Sequence, residues 1–204
     1  MRTGLPVRGR QEITILTPEQ IGKAGELQFD TLCNEVALTC TALIPDLLGV
    51  DRYIEFLPPA VREFGSLDQR PAALSCYVQV KSKGPDQRYW KLSLSVAERL
   101  AKSVKPAFVI LFEVESDTKV RRGYLSHIRG ALLERVLERL RDADHRGIAD
   151  LNHRMISLSR KDGEEFELSG RALINAIQGA VGPDMIAYGR TKADELGNLG
   201  FGDD

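Results

Sequence analysis

The stretch Ser75-Cys76-Tyr77-Val78-Gln79-Val80-Lys81 decides how this chain is read. Side chains alternate faces along a strand, so Cys76, Val78 and Val80 share one face and Tyr77, Gln79 and Lys81 the other. A glutamine and a lysine on one side of an otherwise apolar strand need a reason. Upstream, Asp51-Arg52-Tyr53-Ile54-Glu55-Phe56 has the composition of a second strand and ends at Pro58-Pro59. Its Asp51 face continues through Tyr53 and Glu55. Antiparallel pairing of the two strands would bring a carboxylate, an amide and an ammonium to one point.

Further outward, Thr17-Pro18-Glu19-Gln20 is a helix start with a capping box, and Ile21, Ala24, Gln28, Leu32 and Val36 recur at helical spacing. That helix is expected to run to about Leu38, with Glu26 on the face of Gly22, Phe29 and Cys33. Pro45 and Gly49 mark a turn region. Downstream of Lys81, Gly84-Pro85-Asp86 stops the strand and Trp90 to Leu94 reads as a short one. Ser95-Val96-Ala97-Glu98 reads as a second capping box, opening a helix to about Ser103. Ala107 to Val114 is a continuous apolar strand, and Lys119 to His127 another strand. Ala131 to Leu140 is a helix with Leu133, Val136, Leu137 and Leu140 as its buried stripe. Met155 to Leu158 and Glu165 to Leu168, joined by Lys161-Asp162-Gly163, read as a hairpin. Ser169 caps a last helix through about Val181.

Three regions are expected: an arm at residues 1–16 with a short strand at Glu12 to Leu16, one domain at 17–182, and a Gly-rich acidic tail or linker at 183–204. The tail reads like a cut through a longer polypeptide. At 204 residues, 43% hydrophobic and 28% charged, the chain can bury a core without staples. No apolar run approaches the roughly 20 residues that span a bilayer, and the N-terminus lacks the apolar region of a secretory signal. The three cysteines, Cys33, Cys40 and Cys76, form no CxxC pair, so a reduced, cytoplasmic chain is expected. Cys33 and Cys40 read as core rather than redox chemistry. The formal net charge of -1 argues against a general polyanion coat but hides asymmetry. Between Gln79 and Lys105, seven cations face two acids, a net +5, whereas from Asp184 onward two cations face five acids, a net -3.

Carboxylates, a polar group and a lysine together suit phosphodiester hydrolysis. A hard cation polarises a phosphoryl oxygen and lowers the pKa of the attacking water, Mg²⁺ needs only one or two carboxylates, and a fixed lysine stabilises the developing charge. The order Gly22-Lys23-Ala24-Gly25-Glu26, then Gly49-Val50-Asp51, then Val78-Gln79-Val80-Lys81 resembles the PD-(D/E)XK nuclease superfamily. It is similar to Mrr-type restriction endonucleases, archaeal Holliday-junction resolvases and the nuclease effector domains of bacterial anti-phage systems. Spacings of 25 and 28 residues suit a helix, a hairpin and a return strand, and the helix and apolar strand ending at Val114 fit the continuation of that fold.

The resemblance, which covers Ile21 to Val114, implies a restriction-endonuclease-like α/β fold, a mixed sheet flanked by helices. It implies Asp51 as the central metal ligand, Glu26 as a second carboxylate, the Val80 carbonyl as a further ligand and Lys81 as the catalytic lysine. Gln79 stands where an acid is usual, and its amide oxygen can ligate without adding charge; Glu55 is the reserve carboxylate. The implied cofactor is Mg²⁺, with Mn²⁺ as a substitute. The implied substrate is DNA, with Lys83, Arg88 and Lys91 on its phosphates. A homo-oligomer, a dimer or higher, coupled to a sensor domain in antiviral defence, follows by analogy. The alternative is a catalytically silent nucleic-acid-binding or assembly module on the same fold.

Other motifs carry less. Gly22-Lys23 lacks the upstream glycine and the Ser/Thr of a Walker A loop. The glycines at 197, 200 and 202 have the wrong spacing for a dinucleotide loop. His127, His145 and His153 show no metal-ligand spacing. Trp90, beside Tyr89, reads as packing beneath the sheet rather than stacking on a base.

Overall fold

Thr17 and Gln20 start the first helix as their spacing predicts. The Thr17 hydroxyl accepts the Gln20 N–H at 3.2 Å and the Gln20 side chain accepts the Thr17 N–H at 2.9 Å, closing the capping box in front of helix α1, Pro18–Glu35. The computed structural model describes residues 16–43, 50–58 and 66–200. The expected strand at Glu12 to Leu16 and the Pro45–Gly49 turn lie essentially outside them.

Helix α1 stops three residues short of Leu38, because Ala37 takes a left-handed φ of 53°. The chain then turns into strand β1, Thr39–Ala42, which the sequence reading missed. Its side chains are mostly exposed, so no apolar alternation marks it. Strands β2 (Arg52–Glu55) and β3 (Ser75–Lys83) follow, then β4 (Trp90–Ser93), helix α2 (Leu94–Lys102), β5 (Ala107–Val114) and β6 (Val120–His127). Helix α3 (Gly130–His145), β7 (Met155–Leu158), β8 (Glu164–Phe166), helix α4 (Gly170–Val181) and helix α5 (Met185–Gly200) complete the order.

The main sheet runs β1-β2-β3-β5-β6-β8. Only β3 and β5 pair parallel, across the β4–α2 connection; the other neighbours are antiparallel. The fold is therefore mixed α/β, with helices on both faces. One layer gathers Trp90, Leu92, Leu100, Val109, Leu111, Leu133 and Val136 around α2 and α3. The other gathers Phe29, Leu32, Val78, Val80, Phe108, Ile110, Phe112 and Leu173 around α1 and α4. Strand β5, covered on both faces, reads as an unbroken apolar run for that reason. No helix among the described residues is long and apolar enough to cross a membrane.

Gly25 sets how closely α1 lies on β3. A Cβ there would fall 1.8 Å from the Ser82 hydroxyl and 3.1 Å from its Cβ, so a larger residue would lift the helix, and Glu26 with it, off the sheet. Gly170 does the same at the α1–α4 crossing, where a Cβ would meet the Leu32 carbonyl at 2.4 Å.

Three expectations are corrected. The cap of α2 falls at Ser93, not Ser95; the Ser95 hydroxyl donates instead to Asn152 at 2.7 Å. Met155–Leu158 and Glu164–Phe166 are not a hairpin: β7 pairs with β4 in a separate two-stranded sheet, while β8 closes the edge of the main sheet beside β6. Between them Ser159 and Asp162 cap a short 3-10 turn. Residues 185–200, read as a tail, form helix α5. Asp184 accepts the Ile186 and Ala187 N–H groups at 2.8 and 3.1 Å, and Tyr188 and Lys192 are buried beneath the helix.

Candidate active site

The register of β2 on β3 sets Arg52 against Val78, so one step outward Asp51 faces Gln79. Asp51 Oδ2 accepts the Gln79 Nε2–H at 2.5 Å and the Val80 backbone N–H at 2.8 Å. Two donors fix one carboxylate oxygen. The convergence expected of these strands is present for the acid and the amide, with Val80 supplying its N–H while its side chain packs on the α1 side.

Gln79 is 2% exposed, and its Oε1 is buried without a hydrogen-bond partner among the described residues. An unsatisfied buried acceptor costs about 1–3 kcal/mol. Lys81 follows on the same strand face, half-buried, with no hydrogen bond or ion pair among the described residues. The corner thus holds an anchored carboxylate, an amide oxygen lacking a donor, and an ammonium lacking a counter-ion. A hard cation bound by oxygen ligands would satisfy the orphaned amide oxygen beside Asp51, so these two groups fit Mg²⁺ or Mn²⁺.

Glu26 is placed differently. Its side chain is 51% exposed and its charged neighbour is the Arg52 guanidinium, 4.0 Å away. That guanidinium, which the sequence reading passed over, is the hub of this edge. Its Nε and Nη2 donate to the two oxygens of Asp30 at 3.0 and 3.1 Å, and its Nη1 donates to the Asp51 carbonyl at 3.1 Å. The Asp30 hydrogen bond holds the Arg52 pKa above its usual value, against the effect of burial. Asp30 lies one turn after Glu26 on α1. That i, i+4 acid pair was the signal for a basic partner. Among the described residues no group of three or more His, Cys, Asp or Glu side chains is gathered for a metal.

The proposed phosphate contacts divide. Lys83 is 8% exposed, its ammonium 3.2 Å from Glu113 and 4.2 Å from the centre of the Trp90 ring, and it donates to the Arg88 carbonyl at 3.4 Å. Glu113 is gripped from its other side by Arg160 at 2.7 and 2.8 Å. Lys83 is therefore a structural cation, a correction to its expected place on a nucleic-acid surface. Burial works to raise the Glu113 pKa, but Arg160 and Lys83 together bring it below the usual carboxylate value. Arg88 and Lys91 are exposed, Arg88 lying over Tyr89 at 5.2 Å. Trp90 packs in the core and donates to the Phe112 carbonyl at 2.9 Å. The reserve carboxylate Glu55 is exposed at the far end of β2, opposite Ser75 rather than Gln79. At that end the Lys105 ammonium donates to the Tyr53 hydroxyl at 3.2 Å.

Comparison with protein-family models, with curated proteins and with solved structures finds no match to this chain.

Proposed function

We propose that the protein is a divalent-metal-dependent endonuclease that hydrolyses DNA phosphodiester bonds, on the PD-(D/E)XK plan its motifs resemble. One observation carries the reading: Asp51 is anchored to Gln79 and Val80, with the uncompensated Lys81 next along the same face. The element order α1–β1–β2–β3–β4–α2–β5, with β3 and β5 parallel, supports it.

Asp51 and the Gln79 amide oxygen would hold Mg²⁺ or Mn²⁺, while Glu26, on the α1 side of the sheet, stays with Arg52. The chemistry that such an ion would supply there is polarisation of a phosphoryl oxygen and a nucleophilic water at neutral pH. The chain's own residues do the rest. The Gln79 and Val80 donors keep one Asp51 oxygen fixed. Lys81, having no counter-ion among the described residues, would be available to the negative charge that builds on the phosphoryl group. Arg88 and Lys91 contact backbone phosphates, giving an affinity that falls with salt. The biological setting proposed is the effector of an antiviral defence protein, working as a dimer or larger assembly with a sensor.

A second reading is a silent nucleic-acid-binding module. It is favoured by the ion pair that occupies Glu26 and leaves one carboxylate at the corner. Supercoiled plasmid incubated with Mg²⁺ or Mn²⁺ separates the two. The first reading expects nicking or linearisation by the wild type and a loss of about 100-fold or more in Asp51→Asn. Equal cleavage by that variant removes the proposed site, and salt-sensitive binding without cleavage by the wild type selects the silent module.

A further inference from the structure

The three cysteines, far apart in the chain, converge between α1 and the sheet. Cys40 of β1 is in register with Ile54 of β2, which is in register with Cys76 of β3. Cys40 and Cys76 thus share the α1 face with one strand between them. Cys33 enters the same layer from α1 and is fully buried, as is Cys76, while Cys40 on the edge strand is half-buried. The left-handed turn at Ala37 folds the chain back on the helix end, where the Leu38 N–H donates to the Cys33 carbonyl at 3.0 Å. This return turns the Cys40 side chain into the layer that holds Cys33, near enough for each thiol to shift the other's titration. All three cysteines are free thiols.

The surroundings of Cys40 are charged. Its Sγ lies 4.0 Å from Asp30 Oδ1, and Asp30 holds the Arg52 guanidinium. The neighbouring Cys33 lowers the Cys40 pKa, and Arg52 lowers it further, while burial and Asp30 oppose them. Cys33 is pushed up, first by Cys40 and then by burial, and burial pushes Cys76 up. Cys40 is thus the most accessible of the three and the one with support for a thiolate, the form that reacts. Cys76 is out of reach of Cys40. Two strand spacings of about 4.8 Å exceed the roughly 7 Å between Cα atoms that a disulfide tolerates.

We propose that Cys33 and Cys40 are a peroxide-sensitive thiol pair that closes reversibly to a disulfide. The Cys40 thiolate attacks one oxygen of a hydroperoxide. An S–O bond forms, the O–O bond breaks and the other oxygen leaves as alkoxide or hydroxide, taking up a proton. Cys33 then attacks the sulfenic sulfur of Cys40. The S–S bond forms, the S–O bond breaks, and hydroxide departs with the Cys33 proton as water. The peroxide gains the two electrons that the two thiols lose. A disulfide of this kind in a reducing compartment is transient and signal-bearing rather than structural. The Asp30–Arg52 pair beside Cys40 also holds the Asp51 carbonyl, so closure acts on the edge that carries the candidate site.

The test does not depend on cleavage activity. Trypsin leaves Cys33 and Cys40 on one peptide, Ala24 to Arg52, and Cys76 on another. The intact protein is treated with stoichiometric hydrogen peroxide, alkylated, digested and weighed. The expected result is a 24–52 peptide lighter by two hydrogens, unalkylated and restored by dithiothreitol, with Cys76 still alkylated. In Cys33→Ser, a 1,3-dione is expected to trap the sulfenic acid at Cys40. Full alkylation of both cysteines after peroxide would overturn the proposal, as would oxidation of Cys76 at the same rate. So would a Cys33→Ser protein that gives no adduct at Cys40.

Discussion

Lys81 and Lys83 stand two residues apart on the same face of β3, yet they belong to different regions of the molecule. At the Lys83 corner every charge is answered: Glu113 at 3.2 Å, Arg160 beyond it, the Trp90 ring above. At the Lys81 corner, among the described residues, the ammonium has no ion partner and the Gln79 amide oxygen no donor. Composition alone makes the two lysines equivalent. Their surroundings make one a part of the core and leave the other half-buried and without a counter-charge among the described residues. Gln79 Oε1 is one of six buried side-chain polar atoms without a partner among the described residues, and it sits beside the anchored Asp51 carboxylate.

The sharpest way to break this contrast is to neutralise the acid in each corner. Glu113→Gln leaves the Lys83 ammonium buried without a counter-charge and is expected to cost about 3 kcal/mol by urea unfolding. Asp51→Asn, which keeps an acceptor for Val80, is expected to cost less than about 1 kcal/mol. Equal costs would show that the Asp51 corner is structural as well.

A second closed region lies under α5. His127 is stacked on Phe108, and its Nε2 is 2.7 Å from the Tyr188 hydroxyl; Arg129, Lys192 and Glu195 surround it. Burial, helped by the Arg129 and Lys192 charges, pushes the His127 pKa down to about 4. The unfolded chain takes up this proton below about pH 6.5 and the folded chain resists until about 4, so stability falls as pH drops across that window. The expected share is about 2 kcal/mol, allowing for the residual exposure of the ring. His127→Gln should flatten that limb of the pH–stability curve, and an unchanged slope would contradict the assignment.

A smaller effect sharpens the open corner itself. Gln79→Glu places two carboxylates side by side, which is expected to cost about 1 kcal/mol in a metal chelator. Mg²⁺ or Mn²⁺ should then raise the melting temperature of this variant more than that of the wild type. No difference between them would argue against an ion at Asp51 and residue 79.

Much of this was legible in the chain. Two-residue alternation put Gln79 and Lys81 on one face, and antiparallel pairing brought Asp51 to Gln79, because both rules depend only on local backbone geometry. Thr17-Pro18-Glu19-Gln20 gave the helix start for the same reason. What escaped depends on long-range partners. Strand β1 carries no apolar stripe, since it lies exposed at the sheet edge. Strands β7 and β8 look like a hairpin locally, but β7 completes its hydrogen bonds on β4. Helix α5 hides its buried face in a tyrosine and a lysine, residue types that usually mark a surface. The i, i+4 pair of Glu26 and Asp30 asks for a cation, but that Arg52 supplies it follows from where α1 crosses β2.

The most direct test is the Mg²⁺-dependent cleavage rate of plasmid DNA by Lys81→Met beside that of the wild type, with circular dichroism to show that both are folded. Removing the Lys81 ammonium, which has no ion partner among the described residues, should lower the rate by about 100-fold or more and leave the fold intact. A folded Lys81→Met protein that cuts DNA as fast as the wild type would contradict the account.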